Sequence, residues 1–395
     1  MGRIIMHIDL NAFFATAEEL KDPSLVGKPI AVGGVGRRGV VSTASYEARK
    51  YGVHSAMPMF KALELCPKLI VKEPDFHYYS MLSISFISYL KRYSQLIEQA
   101  SIDECYVDMS EQLKNEKHPY MYLKNLQDGL LKEIGLKCSI GLAPTKFLAK
   151  MGSDMKKPMG ITIIRKNEIK EKIYPLPIES FYGIGKKTSP KLREMGITTI
   201  GDLADLVNKD DPRLMDMFGK MYPTIKDWIN GRGNDMVDME PWDAKSLGHS
   251  ETFAFDSDDH FFIEEKIKEL SMRVSEGAKR KKKIGKTVQL QVKDTSFKSH
   301  DKSFTMLEYT NDYKIILEQA LRLYRENFSG MEIRLVGVTL QNLIDPRKST
   351  FQMSLFNYEE YEEMDKTQML VNELNRKMKK KVFKLGSEAK KNGRD

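Results

Sequence analysis

The sequence predicts an α+β chain of several domains, with a layer of strands and helices first and a compact β-α-β-β-α-β module later. Three observations carry that prediction. The chain has 395 residues, more than one ordinary core accommodates, which points to roughly two to four domains. Short apolar runs alternate with amphipathic helical patterns as far as Ile164, and beyond Arg165 the texture changes to short helices with glycine turns. The last third repeats strand and helix signals in the order of a split βαβ unit.

Taken in order, residues 3–10 read as an apolar strand that carries Asp9 at its end. Residues 11–20, N-A-F-F-A-T-A-E-E-L, read as a helix with Asn11 as its N-cap. Residues 30–32 form a second strand, 33–39 a glycine-rich basic loop and 40–43 a third strand, and S-Y-E-A-R-K-Y-G turns helical with Gly52 as its C-cap. Residues 59–66 are a short helix closed by Pro67, and a long amphipathic helix runs from Phe76 to about Gln95. A helix over 120–134, a strand over 138–142, a helix over 145–155 and a strand over 160–164 complete the layer, with residues 11–75 read as an insertion upon its sheet. Residues 231–245, holding Gly231, Gly233, Asn234 and Pro241, read as a linker. The later module is expected as strands near 246–254, 287–293, 302–307 and 332–340 with helices over 260–279 and 311–327. From about 345 the chain is polar and charged, a flexible tail with one amphipathic helical pattern around 365–383.

Composition narrows the function classes. Hydrophobic content of 41% and charged content of 30% are those of a globular protein. No stretch approaches the ~18 apolar residues of a membrane span, and the N-terminus lacks the pattern of a secretory signal, so a cytoplasmic protein is expected. Cys66, Cys105 and Cys138 are odd in number and far apart, which suits reduced buried thiols and gives no zinc motif. A net charge of +8 favours an anionic partner, nucleic acid first.

Chemistry concentrates around I-E-Q-A-S-I-D-E-C-Y-V-D, where Asp103 and Glu104 are adjacent. Neighbouring residues on a straight strand face opposite ways, so both acids serve one site only at a turn or bend. Alone, the pair reads more readily as a polar turn. Asp9, at another strand end, changes that: three gathered acids repel one another unless cations bind between them, and a two-metal phosphoryl-transfer site needs such a set. The Leu10 carbonyl is a further oxygen ligand beside Asp9. Phe13 and Phe14 follow one helical turn later, either as core or as a wall against a nucleotide sugar, where a ring against C2′ excludes a hydroxyl. Thr43, Tyr46 and Arg49, spaced by three beside Ser42 and the glycine-rich loop, offer two hydroxyls and a guanidinium fork to a triphosphate. Lys157, in D-M-K-K-P-M-G, is placed to neutralise the same phosphates, with Lys156 and Lys157 otherwise a solvated pair. Gly183, Ile184 and Gly185, then Lys186, Lys187 and Thr188, form a helix–hairpin–helix signature whose backbone amides can meet a DNA phosphate. Lys279, Arg280, Lys281, Lys282 and Lys283 begin a run of six basic residues in eight, a phosphate-tracking surface or else a solvated loop. In the tail, Q-M-S-L-F places Gln352, Leu355 and Phe356 outside any core, as a peptide anchor for a hydrophobic groove.

As a set, H-I-D-L-N-A-F-F-A, V-S-T-A-S-Y-E-A-R-K-Y-G-V, S-I-D-E-C-Y-V-D, G-L-A-P-T-K-F-L-A-K and D-M-K-K-P-M-G resemble the Y-family translesion DNA polymerases, the bacterial DinB-type branch above all. The resemblance runs from residue 3 to about 345. It implies a right-hand polymerase with palm (1–11 and 75–165), fingers (12–74), a helix–hairpin–helix thumb (166–231), a linker (232–245), a βαββαβ little finger (246–345) and a tail (346–395). It implies Asp9, Asp103 and Glu104 on two Mg²⁺ ions, with Mn²⁺ as a substitute, and Phe14 as a steric gate with Phe13 behind it. Tyr46, Arg49 and Lys157 become triphosphate contacts. The tail pentapeptide is similar to the signal by which such polymerases dock on the replication sliding clamp.

The resulting expectation is a monomeric enzyme that adds dNTPs to a primer 3′ hydroxyl on template DNA, at low processivity and across lesions, away from any membrane. Small residues in the fingers (Gly33, Gly34, Gly36, Gly39, Ser42, Ala44) leave room for a bulky template base. A metal-dependent nuclease would have no use for the Phe13–Phe14 wall or the Thr43–Tyr46–Arg49 face, and a non-catalytic DNA-binding scaffold would tolerate loss of Asp103.

Overall fold

The computed structural model describes residues 2–233, 236–240 and 243–348. The chain divides into two compact units, Met1–Asp243 and Ala244–Asp395.

The first unit runs β1 (Ile5–Leu10), α1 (Phe13–Lys21), β2 (Ile30–Gly33), β3 (Val41–Ala44), α2 (Tyr46–Arg49), α3 (Met59–Leu65), β4 (Ile70–Lys72), α4 (Phe76–Leu90), β5 (Ile97–Gln99), β6 (Glu104–Asp108), α5 (Ser110–Leu113), α6 (Pro119–Ile134), β7 (Cys138–Ala143), α7 (Lys146–Met155) and β8 (Ile161–Ile163). Short helices follow: α8 (Ile169–Lys172), α9 (Ser189–Glu194), α10 (Ile200–Asn208), α11 (Pro212–Phe218) and α12 (Tyr222–Ile229). A five-stranded sheet in the order β5-β6-β1-β7-β8 is its centre. Strand periodicity sorts β1 onto two faces. Met6, Ile8 and Leu10 join Phe86 and Leu90 of α4 and Leu123, Leu126 and Leu130 of α6 in one core. Ile5 faces the other way, in a core with Leu148 of α7 and Ile200 and Leu203 of α10. Residues 30–72 make a separate three-stranded sheet, β3-β2-β4, whose core joins Ala31, Ala44, Ala48 and Ala62 to Val41, Val53, Met57, Met59 and Leu69.

The second unit runs β9 (Ser246–Ser257), α13 (His260–Arg280), β10 (Gly285–Asp294), β11 (Ser299–Thr310), α14 (Tyr313–Asn327) and β12 (Ile333–Gln341). Its antiparallel sheet has the order β11-β10-β12-β9. Val288, Leu290, Val292, Val336, Val338 and Leu340 turn to α13 and α14, which present Ile263, Ile267, Leu270, Val274, Ile316 and Ala320.

Several local expectations change. α2 ends at Arg49 with Lys50 as its C-cap, and Gly52 (φ 84°) lies two residues beyond it. α1 begins at Phe13 with Ala12 as N-cap in a left-handed conformation (φ 45°), not with Asn11. Asn11 is instead buried, with Nδ2 donating to Ser139 Oγ at 3.0 Å and Oδ1 accepting the Met159 N–H at 2.8 Å. Its side chain joins β7 and the loop after α7, so it has none to spare for a cap. α4 stops at Leu90 and not near Gln95, because Ile97–Gln99 leaves to pair with β6. β4, three residues long, lies within a stretch read only as insertion.

Candidate active site

The site is written into the register of β1. Asp9 stands opposite Glu104 of β6 and His7 opposite Tyr106, and cross-strand partners share a face. That face is the one α7 covers. Gly141 of β7 makes the cover close: a Cβ there would lie 1.9 Å from the Ala149 carbonyl oxygen. At this distance α7 delivers Lys150 and Ser153 to the strand. The Lys150 Nζ donates to Asp9 Oδ2 at 3.1 Å and to Glu104 Oε1 at 2.8 Å. Lys157, in the loop after α7, donates to the same Asp9 oxygen at 2.7 Å and pairs with Asp154 at 2.7 Å. Ser153 Oγ lies 2.8 Å from His7 Nδ1, while His7 Nε2 stands 3.5 Å from Glu104 Oε2.

Opposed carboxylates destabilise a sheet, and burial raises the cost. Asp9 is only 6% exposed, and its carboxyl is pushed up to about 7, first by burial and then by the Glu104 carboxyl, with Lys157 and Lys150 pulling it back. Burial works against the Glu104 carboxylate too, yet contacts with His7, Asp9 and Lys150 outweigh it and hold that group below the usual range. Lys150 is pushed above its ordinary value by Glu104 and Asp9, against the opposing effect of burial. Two acids therefore share one position, Asp9 buried and Glu104 half-buried, and ammonium groups supply the positive charge there.

Asp103 is placed at the same mouth by its backbone: its carbonyl accepts the Leu10 N–H at 3.0 Å in the bend before β6. Asp103 lies in that bend, before β6 begins at Glu104, so strand alternation does not fix which way its side chain faces. The Asp103 carboxylate itself accepts from Ser101 Oγ at 2.6 Å. Among the described residues no three histidine, cysteine, aspartate or glutamate side chains gather closely enough to grip a metal ion. The donor set nevertheless suits hard divalent cations. Its ligands are oxygens, and two opposed carboxylates draw positive charge, which Lys150 and Lys157 supply here.

The residues read as a triphosphate face come partly together. Ser45 N-caps α2 through its hydroxyl, 3.2 Å from the Ala48 N–H, and starts the helix at Tyr46. Tyr46 and Arg49 then share a helical face, the guanidinium 4.5 Å from the ring centroid, whereas Thr43 and Ser42 belong to β3. Tyr46 Oη is buried with no hydrogen-bond partner. Its hydroxyl is held above the ordinary phenol value chiefly by burial, with the charges of Arg49, Lys157 and Asp9 acting on it as well. An orphaned hydroxyl there is an open position for an anionic oxygen. Lys156 is exposed and Lys157 turns inward, which separates that pair. Phe13 is 2% exposed in the core, and Phe14 is half-buried with its ring stacked on Tyr79 at 4.5 Å.

Farther along, Gly183 (φ 99°), Gly185, Lys186 and Lys187 are exposed together, with Ile184 buried beneath them and the Thr188 N–H bonded to the Gly185 carbonyl. Lys279 and Arg280 end α13, and Lys281 and Lys282 are exposed on the turn into β10, next to Lys283. Gln352, Leu355 and Phe356 lie outside the described residues. Sequence reasoning missed Lys150, Asp154, Ser153 and Tyr79. The only signal for Lys150 was a lysine four residues before an aspartate on an amphipathic helix, a pattern surface helices share.

Residues 8–154 match the impB/mucB/samB family, residues 244–355 its C-terminal domain, and residues 166–197 the IMS family HHH motif. The chain is 39% identical to a DNA polymerase IV of Bacillus velezensis, over 99% of this chain and 94% of that one. It is also 39% identical to a DNA polymerase IV of Listeria monocytogenes, over 87% and 96%. Among solved structures it is similar to a Y-family DNA polymerase chimera (TM-score 0.77, 27% identity, 86% of this chain and 99% of that one). It is likewise similar to DinB from Sulfolobus solfataricus (TM-score 0.58, 26% identity, with the same coverage).

Proposed function

The chain belongs to the impB/mucB/samB family as a bacterial Y-family polymerase of the DinB type, and from that premise we propose that Asp9, Asp103 and Glu104 are the carboxylates of its catalytic centre. The protein is a DNA-directed DNA polymerase of the translesion type, with the divalent-metal dependence of its family. Its palm, fingers, thumb and little finger form an α+β assembly. The metal is Mg²⁺, two ions per site, replaceable by Mn²⁺, held by the three carboxylates and the Leu10 carbonyl. Such ions, when bound, activate the primer 3′ hydroxyl and take up the charge of the departing pyrophosphate.

The carrying observation is the Asp9–Glu104 pair, Asp9 buried and Glu104 half-buried, with a lysine ammonium between its carboxylates. Around it the chain's own groups divide the work. Tyr46, Arg49 and Lys157, with Ser42 and Thr43 nearby, hold the triphosphate, and the orphaned Tyr46 Oη supports that reading. Lys150 keeps the two acids together while no substrate charge is present. Phe14 closes against the sugar C2′ and excludes a ribose hydroxyl, with Phe13 packed behind it. The glycines and alanines of the fingers sheet leave space for a damaged template base.

Primer–template DNA is held by backbone amides around Gly183 and Gly185, by Lys186, Lys187 and Thr188, and by Lys279, Arg280, Lys281, Lys282 and Lys283. Gln352, Leu355 and Phe356 dock on the sliding clamp, and the enzyme works as a monomer in the cytoplasm. Domain boundaries follow the palm at 1–11 and 75–165, fingers at 12–74, thumb at 166–231 and little finger at 246–345. The test of the site is primer extension with Mg²⁺ and dNTPs by wild type, Asp103→Ala and Glu104→Ala, each also assayed for binding of primer–template. Both variants should bind DNA and fail to extend it. Extension surviving either substitution would remove that residue from the centre.

A further inference from the structure

Phe14 stands in a built mount. Its ring lies nearly parallel to Tyr79 (centroids 4.5 Å apart, 14° between planes), edge-on to Phe76 (5.9 Å, 87°) and tilted against Phe13 (5.6 Å, 46°). Tyr79 is fully buried in α4, behind the half-buried Phe14. The Tyr79 hydroxyl donates to Glu18 Oε1 at 2.7 Å, and Glu18 is itself only 5% exposed. Glu18 lies on α1 one turn after Phe14, so the same helix face carries the ring and the group that fixes the ring's support. Three residues on, Lys21 pairs at 2.6 Å with Asp75, the N-cap of α4.

A buried carboxyl in an aromatic cluster is costly, and phenylalanine opposite leucine would fill similar space without a polar atom. What the pair adds is position. Apolar packing lets a ring slide at little cost, whereas a hydrogen bond at the far end of the tyrosine fixes the plane on which Phe14 rests. A gate that excludes one oxygen atom must not retreat by the width of that atom.

We propose that Glu18 and Tyr79 are positioning residues for sugar selection: Glu18 pins the Tyr79 hydroxyl, and the pinned Tyr79 ring keeps Phe14 from yielding to a ribonucleotide. This rests on the reading of Phe14 as the gate. The substrate distinction it governs is ribo- against deoxyribonucleoside triphosphate.

The experiment measures kcat and KM for one dNTP and the matching rNTP on the same primer–template, with the full chain. Phe14→Ala tests the gate and should raise relative ribonucleotide use about 100-fold or more. Tyr79→Phe, which keeps the ring and removes the hydroxyl, should raise it roughly three- to tenfold, the factor corresponding to the net worth of one hydrogen bond. Glu18→Leu should match it, and the double variant should be no worse than either single one, since both remove the same bond. The change should fall on kcat/KM for the rNTP, leaving dNTP kinetics nearly constant. Glu18→Gln, which keeps an acceptor oxygen, should restore wild-type discrimination. If Phe14→Ala leaves discrimination intact, the gate reading fails. If Phe14→Ala loses it while Tyr79→Phe and Glu18→Leu retain it, the gate stands and the positioning role is overturned. Should Glu18→Leu fold poorly, Tyr79→Phe decides alone.

Discussion

The two large sheets of this molecule treat polar residues in opposite ways. In β1 and β6 charged groups lie on a face that α7 covers, so the buried Asp9 and the half-buried Glu104 stand opposite one another and are held by Lys150 and Lys157. In the second unit the helices take one face, and the other carries mainly uncharged donors and acceptors, with Lys293 and Asp301 towards one end. Gln289 stands opposite Ser303 and Thr339, Thr287 opposite Thr305 and Gln341, and Gln341 Nε2 donates to Gln289 Oε1 at 2.5 Å. A run of consecutive basic residues, Lys279 to Lys283, stands at the end of α13 and the turn after it. Buried charge suits a reaction in which charge develops and must be matched at fixed positions. An open face of amides and hydroxyls, with lysines at its edge, suits a long polyanion gripped without fixed register.

The comparison breaks most visibly if the buried acids are dispensable. Glu104→Ala should reduce primer extension by about a thousandfold or more while primer–template affinity changes by less than about threefold. A variant that extends DNA normally would place the chemistry elsewhere.

Next in size is the ammonium between the acids. Lys150→Met leaves Asp9 and Glu104 facing each other without it, and breaking such a buried pair costs about 3–5 kcal/mol. The melting temperature without metal should fall by several degrees, and added Mg²⁺ should recover more of it in the variant than in wild type. Identical melting curves for the two proteins would mean that Lys150 contributes nothing to holding the pair.

Replacing Lys281, Lys282 and Lys283 by serine tests the other sheet. DNA affinity should fall uniformly across sequences, and the slope of log affinity against log salt should lose roughly one unit for each phosphate contact removed. Gln291→Ala, which removes an uncharged side chain opposite Asp301, should leave that slope unchanged. An unchanged slope in the lysine variant would return this run to a solvated loop.

Much of this difference was legible in the sequence, and for a physical reason. Strand alternation and the placement of Asp9, Asp103 and Glu104 at strand ends are local properties, as are the helix–hairpin–helix glycines and the basic run. The strands of the second unit were placed within a few residues because Val288, Leu290 and Val292 alternate strictly with polar neighbours. What escaped was tertiary. Lys150 reaches Asp9 across a separation of 141 residues because Gly141 admits α7 so closely, and neither residue carries a mark of that in its own neighbourhood. Asn11 has the chemistry of a cap but spends its side chain on Ser139 and Met159, contacts 128 and 148 residues away. Tyr79 was one aromatic on a helix already read as amphipathic. Only packing reveals that it backs Phe14.

The smallest expected effect concerns an exposed carboxylate, the counterpart of the buried pair. Asp202 accepts the Thr198 and Thr199 N–H groups at 2.9 and 2.8 Å and the Thr198 hydroxyl at 2.9 Å, while Thr199 Oγ1 accepts the Asp202 N–H, a capping box at the start of α10. These hydrogen bonds hold its carboxyl down at about 2, below the ordinary 3.8, whereas burial beside Glu104 moves Asp9 the other way. For a depressed acid the unfolded chain binds the proton more readily, so its stabilisation is complete above about 3.8 and is lost as pH falls through about 2. Asp202→Asn keeps one acceptor oxygen and should cost about 1 kcal/mol or less at pH 7. Hydrogen exchange of the α10 amides should therefore separate variant from wild type at pH 7, and the gap should narrow as pH falls from about 4 towards 2. A gap that stays constant over that window would mean that the neutral hydrogen bonds alone, and not the carboxylate charge, hold the cap.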